Sequence, residues 1–211
     1  MNRYNKQENI KYWNSYYTNK KMTTAPSPFA IFCAPYLFHR HTKLLELGCG
    51  NGRDAYYFSS NGVDVTALDM SDVAINELIK LNSNLLHFEL ADFTEYSAPE
   101  TFDVIYSRFT IHSIDDEGEQ KTFSNAYKNL KGGGIFMIEA RSLKDKMFSL
   151  STKISKTEGF TDHYRRFLDF SIIAKKLEAE GFSILYKIES TGLAKYKEED
   201  PVIIRIIAQK L

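Results

Sequence analysis

Apolar residues fall into two rhythms along this chain, and the switches between them predict its elements. Lys43 to Leu47 is a short apolar run. Val63 to Asp69, "VDVTALD", mixes β-branched and small residues and ends in an acid. "LLHFELAD" (85–92), "FDVIYSRF" (102–109), "IFMIEAR" (135–141), "FSILYKIES" and "VIIRIIAQKL" follow as strands. Helices are expected between them. The first runs from Arg53 to Ser60. A second, with Ser71 as N-cap, runs through Leu81 and carries Val73, Ile75, Leu78, Ile79 and Leu81 on its apolar side. A third spans about Glu117 to Leu130, closed by Gly132-Gly133-Gly134, and a fourth runs from Phe170 to Glu180, ending at Gly181. Strands alternating with helices predict an α/β, doubly wound, mostly parallel seven-stranded sheet covered on both faces. Only "TGLAKYKEED" joins the last two strands, so the final strand is expected to be antiparallel.

Two regions fall outside this frame of a single domain over residues 1–211. Residues 1–42 carry Tyr12, Trp13, Tyr16 and Tyr17 ahead of "APSPFAIF", and roughly Ser142 to Leu168 is inserted between a strand and its helix. Long additions to a compact core tend to be lids or binding elements, or they cover sheet faces. The expectation is a helical lid over 1–42 and a substrate-binding insertion over 142–168.

Composition narrows the partners. Lys plus Arg and Asp plus Glu both number 27, so no global charge points to nucleic acid or a membrane surface. Cys33 and Cys49 form neither a disulfide framework nor a zinc motif, and His39 and His41 have no nearby carboxylates, so no metal is implied. The polar N-terminus lacks an apolar leader, and no run approaches the roughly 18 apolar residues of a membrane span. A cytoplasmic protein is expected. Asp115 and Asp116 are better read as an N-cap or a solvated loop than as a cation site.

The stretch "LLELGCGNGRD" (44–54) carries the chemistry. Glycines directly after a strand let a ligand touch backbone, and Asp69, about twenty residues on, is placed to bond both hydroxyls of a ribose. The dinucleotide fingerprint started at Gly48 would need a small residue where Arg53 stands. Glu46 would also disfavour a pyrophosphate but welcome a cationic amino group. Adenosine joined to a positively charged amino acid describes S-adenosylmethionine.

"LLELGCGNGRD", "ALDMS", "LADF", "FDVIYSRFTIHSI" and "LKGGGIFMIEAR" together resemble the successive motifs of class I S-adenosylmethionine-dependent methyltransferases. That resemblance implies the Rossmann-like form of the sheet, with S-adenosylmethionine as cofactor and S-adenosylhomocysteine as product. It implies that Gly48, Cys49, Gly50 and Gly52 approach the methionine part, with Glu46 just before them. Asp69 would take the ribose hydroxyls and Met70 would lie against the adenine, with Asp92 and Phe93 at its amino group and ring face. Ser107 and Arg108 would lie under the methionine end. "APSPFA", "YSRFTIHSI" and "HYRRF" are similar to methyltransferases of bacterial capsule and surface-polysaccharide biosynthesis, some associated with phosphorylated or phosphoramidate-type decorations. By that likeness Ser27 and Phe29 belong to the lid over the donor.

Methyl transfer is an in-line displacement, in which the protein aligns a nucleophile and excludes water. Ser107-Arg108-Phe109-Thr110 lacks the Pro-Pro-aromatic motif of DNA amino-methyltransferases, which argues for a small-molecule acceptor and against nucleic acid. From Arg141 to Leu168 there are seven basic and three acidic residues. Arg141, Arg165 and Arg166, with Tyr17, are therefore candidates to bind an anionic or phosphorylated acceptor. His163 and His112 are candidate bases, assisted by Tyr164. The alternatives are a detoxifying or natural-product methyltransferase with a neutral acceptor, and a non-catalytic donor-binding regulatory module.

Overall fold

The computed structural model describes residues 5–19, 24–37 and 42–211; His39 and His41 lie outside them. Two helices, α1 (Lys6–Asn19) and α2 (Pro28–Leu37), precede the sheet. Then come β1 (Lys43–Leu47), α3 (Arg53–Ser60), β2 (Asp64–Asp69), α4 (Asp72–Leu78), β3 (Leu86–Leu90) and β4 (Phe102–Arg108). They are followed by α5 (Asp116–Asn129), β5 (Leu130–Arg141), α6 (Lys146–Leu150), β6 (Thr152–Lys153), β7 (Glu158–Phe160) and β8 (Tyr164–Arg166). The chain closes with α7 (Phe170–Ala179), β9 (Phe182–Ser190) and β10 (Ile203–Lys210). The main sheet has the order β3-β2-β1-β4-β5-β10-β9. β10 alone runs against its neighbours, slotted between β5 and β9. The seven strands and the antiparallel last one are as the sequence predicts.

Successive strand residues face opposite ways, and both faces are covered. Leu45 and Leu47 pack with Ile105, Phe123 of α5 and Leu177 of α7. Leu44 packs on the other face with Val65, Phe58 of α3 and Phe29 of α2. Burial of each such side chain is worth about 1.5–3 kcal/mol, so both layers hold the sheet rigid behind the site. Ser71 caps α4 by accepting from Ala74 N, and Asp115 caps α5 by accepting from Gly118 N. After Leu78, α4 tightens into a 3₁₀ turn, Ile79–Leu81.

One boundary differs from the sequence reading. Gly132 to Gly134 do not terminate a helix; they lie within β5, which begins at Leu130. The register jumps from Phe102↔Leu130 to Val104↔Ile135, so the glycines loop out as an irregularity against β4. The insertion folds as α6 and a small antiparallel sheet, β6-β7-β8. A bridge between Ser142 and Leu168 closes it at its base.

Candidate functional site

Strand order reverses at β1, between β2 and β4, and a crevice opens beyond the carboxyl ends of these strands, as such topology dictates. It holds a cavity of about 480 Å³, within the range of small-ligand pockets. Gly48 and Gly50 sit there at φ +71° and +56°. A Cβ on Gly48 would come within 2.5 Å of the Thr110 side chain, and one on Gly50 within 2.5 Å of the Tyr17 hydroxyl. Only glycine fits this cradle. Gly52 instead faces Phe88 and Leu78, where it lets α3 pack closely on the sheet.

Asp69 organises the cradle. Its Oδ2 accepts from Gly50 N at 2.8 Å and its Oδ1 from Ser71 N at 2.8 Å. Burial pushes its pKa up, against those two bonds. Cys49, Met70 and Phe93 line the same end. Glu46 is almost fully buried, lines the cavity, and its Oε2 has no hydrogen-bond partner among the described residues. Burial, with the Asp54 and Asp69 carboxylates, raises its pKa well above the usual value. A buried acid with one oxygen unpartnered among the described residues, set in a glycine cradle, calls for a cationic group, and the ammonium of S-adenosylmethionine fits it.

At the other end, Arg108 Nε donates to Glu139 Oε1 at 3.0 Å, and Glu139 Oε2 accepts from Arg205 Nε at 2.7 Å. One buried carboxylate thus fixes two guanidinium groups. Phe109 follows in the left-handed region at φ +56°, rare for a bulky residue and found mostly where function over-determines the backbone. Its N–H donates to Glu139 O, and Thr110 Oγ1 donates to Leu47 O, which pins the turn. The Phe109 ring lies 4.4 Å from the Arg108 guanidinium carbon.

Helix α1 roofs the cavity with Tyr12, Trp13, Tyr16 and Tyr17. Its polar side is tied down at separate places. Lys6 pairs with Asp92, Asn9 Nδ2 donates to Ser113 O, and Asn14 Nδ2 donates to Asp72. Tyr12 OH donates to Asp162 Oδ2 at 2.5 Å, and its ring stacks on His163 at 4.0 Å. His163 also meets Trp13 edge-on. Its Nδ1 lies 3.1 Å from Asp162 Oδ1, and among the described residues neither buried ring nitrogen makes a well-aligned hydrogen bond. Burial, then the Arg165 charge, pushes its pKa down to about 4. His112 accepts from Arg141 N at 3.4 Å and is also shifted well down, by burial and then by Arg141.

Both histidines are therefore neutral at pH 7, and the unfolded chain binds their protons first as pH falls. The stability contributed by His163 is present above about pH 6.5 and is lost as pH drops toward 4. Urea unfolding of the wild type should show a steeper loss of stability between about pH 6.5 and 4.5 than His163→Phe, whose ring keeps the stack. Equal slopes would remove His163 as the titrating group.

Several residues expected at the site lie elsewhere. Ser27 is fully buried; its N–H and Oγ each donate to Asp54 at 2.7 Å. Phe29 stacks on Tyr106 in the core, so α2 covers a sheet face and only Pro28 between them reaches the cavity. Ser107 is buried beneath the cavity, and its Oγ has no partner among the described residues. Asp92 is turned to Lys6 and Thr94, leaving Phe93 at the wall. Tyr164 donates to Glu158 at 2.5 Å, and Arg166 pairs with Glu119 and Asp116. Both leave the cavity because β8 alternates its side chains. Arg141, Arg165, His112, His163 and Tyr17 do line it. Arg165 bonds Thr161 and Asp162 on its own hairpin.

Sequence reasoning missed Phe109, the Glu139–Arg205 support and the connection between β9 and β10, which brings Lys195 and Glu199 to the wall. The available signal was charge set within two apolar strands, Glu139 in "IFMIEAR" and Arg205 in "VIIRIIA". Among the described residues no group of three His, Cys, Asp or Glu could hold a metal ion, and no helix is long and apolar enough to cross a membrane.

Comparison with known proteins agrees with this geometry. Residues 44–134 match the family model described as a methyltransferase domain. Phosphoethanolamine N-methyltransferase 3 of Arabidopsis thaliana is 34% identical over 172 residues, covering 74% of this chain and 34% of the plant protein. The chain thus spans about a third of that relative's length. Burkholderia thailandensis 1,6-didemethyltoxoflavin-N1-methyltransferase, solved with S-adenosylhomocysteine, superposes with a TM-score of 0.75 at 16% identity, over 100% of this chain and 92% of its own. The cyclase SpnF superposes with a TM-score of 0.71 at 13% identity, over 96% and 92%. A shared fold therefore leaves the reaction to the site.

Proposed function

We propose that this chain, whose residues 44–134 match a methyltransferase domain, transfers the methyl group of S-adenosylmethionine to a small anionic acceptor. A phosphorylated amine is the first candidate, as in the name of the plant relative, and a phosphorylated surface-glycan precursor is the second. One observation carries this reading. A single cavity joins the glycine cradle and buried Glu46 at one end to the guanidinium groups of Arg108, Arg141 and Arg165 at the other.

When bound, S-adenosylmethionine supplies an electrophilic methyl on a sulfonium. The chain's own residues do the rest. Asp69 and the cradle orient the donor, while the α1 aromatics exclude water and offer faces to a cationic nitrogen. His163, neutral at pH 7, lines the acceptor end of the cavity. With its pKa pushed down to about 4 it does not take the proton of an ammonium group, so the acceptor amine arrives with its lone pair free and His163 serves only to accept a hydrogen bond from it.

The test is methyl transfer from labelled S-adenosylmethionine to phosphoethanolamine, ethanolamine and a phosphorylated sugar amine. Label is expected on a phosphorylated acceptor, with ethanolamine used at least about tenfold less efficiently, since it lacks a charge-assisted contact worth roughly 1.5–3 kcal/mol. Transfer to ethanolamine alone would overturn the anionic reading.

A further inference from the structure

Arg141 ends β5 with its guanidinium almost fully buried beside the cavity, and two carboxylates share it. Nη1 donates to Asp145 Oδ2 at 3.1 Å and Nη2 to Glu199 Oε1 at 2.5 Å. These partners are not equivalent. Asp145 is buried, and its other oxygen accepts from Met147 N at 2.7 Å to cap α6, so it belongs to the frame. Glu199 comes from the connection between β9 and β10, and its side chain is 39% exposed. Its carboxylate makes no other hydrogen bond among the described residues. The backbone there is a tight turn, in which Tyr196 and Glu199 exchange N–H···O bonds of 2.9 Å around Lys197 at φ +52°.

Asp145 alone balances the charge of Arg141. Glu199 adds a second negative charge at the acceptor end of the cavity, on a surface loop that needs no such anchor. The other cavity arginines differ: Arg165 is engaged within its own hairpin, Arg108 shares its single carboxylate with Arg205, and Arg53 lies 3.9 Å from Asp54 beside the glycine cradle. A loop carboxylate on an already balanced, buried guanidinium stands where a ligand oxyanion would stand.

We propose that Arg141 is the anion-recognising group of the acceptor subsite and that Glu199 is its built-in occupant, displaced when an anionic acceptor binds. This rests on the methyl-transfer reading above. A phosphate brings more charge and more acceptor oxygens than a carboxylate, so it competes for Nη2. Release of Glu199 frees the β9–β10 connection, which already carries Lys195 on the cavity wall, to follow the anion. The subsite thus selects for acceptors anionic enough to displace it, and a neutral acceptor leaves the loop where it is.

The experiment is calorimetric titration of the full chain, loaded with S-adenosylhomocysteine, at fixed ionic strength. The probes are phosphoethanolamine, inorganic phosphate and ethanolamine, and the proteins are wild type, Glu199→Gln and Arg141→Gln. Removing the internal competitor should tighten phosphoethanolamine binding by about five- to tenfold in Glu199→Gln, because the competent fraction rises. Ethanolamine binding should not change. Arg141→Gln should weaken phosphoethanolamine at least about tenfold while S-adenosylhomocysteine still binds. Unchanged or weaker binding in Glu199→Gln overturns the proposal, as does no binding of either phosphate probe to both wild type and Glu199→Gln. If Arg141→Gln fails to fold, the gain in Glu199→Gln still decides. Absence of S-adenosylhomocysteine binding to the wild type overturns the methyl-transfer reading, and this inference with it.

Discussion

Asp69→Ala is expected to weaken S-adenosylhomocysteine binding by at least about 100-fold, the equivalent of roughly 3 kcal/mol. Two losses add. The carboxylate that would bond the ribose hydroxyls disappears, and so does the acceptor that holds Gly50 N and Ser71 N at 2.8 Å each. Without it the glycine turn loses the tie that orients its N–H groups toward a ligand. Asp69→Asn, which keeps one oxygen acceptor, should fall between wild type and Asp69→Ala. Titration calorimetry reads the affinities, and far-UV circular dichroism checks that the sheet survives. NADH serves as control and should bind none of the three proteins. A loss of less than about fivefold in Asp69→Ala would place the ribose elsewhere.

Glu139→Ala is expected to destabilise the fold by about 3–5 kcal/mol, the usual cost of removing one partner from a buried ion pair. Glu139 sits in β5 directly across from Arg108 of β4 and Arg205 of β10. Its carboxylate is fully buried, and Arg205 is nearly so. Burial raises its pKa even with two guanidinium groups attached, a sign of how costly the bare charge is there. Removing it strands both arginines in the sheet, and Arg108 loses the bond that aims it at the cavity. Combining Glu139→Met with Arg205→Met should recover part of the loss, since an apolar pair leaves fewer stranded charges. Urea unfolding midpoints read all three proteins. A loss below about 1 kcal/mol for Glu139→Ala would mean that water already screens the trio.

These expectations draw unequally on what the chain displays in one dimension. Strand count, the antiparallel final strand, the capping roles of Ser71 and Asp115, and the glycine–acid pair of the cradle all depend on neighbours within a few residues or on a repeating period. They are legible because local backbone preferences and hydrophobic period act at short range. The boundary at Gly132–Gly134 misleads for the same reason. Glycines stop a helix locally, but the pairing of β5 with β4 reaches past them to Leu130 and absorbs them as a bulge.

By itself the sequence determined the sheet, the order of the motifs and the glycine–acid end of the cavity, where Glu46, Gly48, Gly50 and Asp69 come together at adjoining strand ends. Only the tertiary structure decided the arginine-lined end. "DHYRRF" reads as one basic cluster, yet strand alternation sends Arg165 to the cavity and Arg166 to Glu119. Ser27 and Phe29 belong to the core because α2 lies flat on the sheet while α1 roofs the cavity. Glu139, Arg108 and Arg205 meet through register, and Glu199 meets Arg141 across 58 residues. Side-chain direction within a strand and pairing between distant strands decide which charges face one another, and neither has a signature at short range.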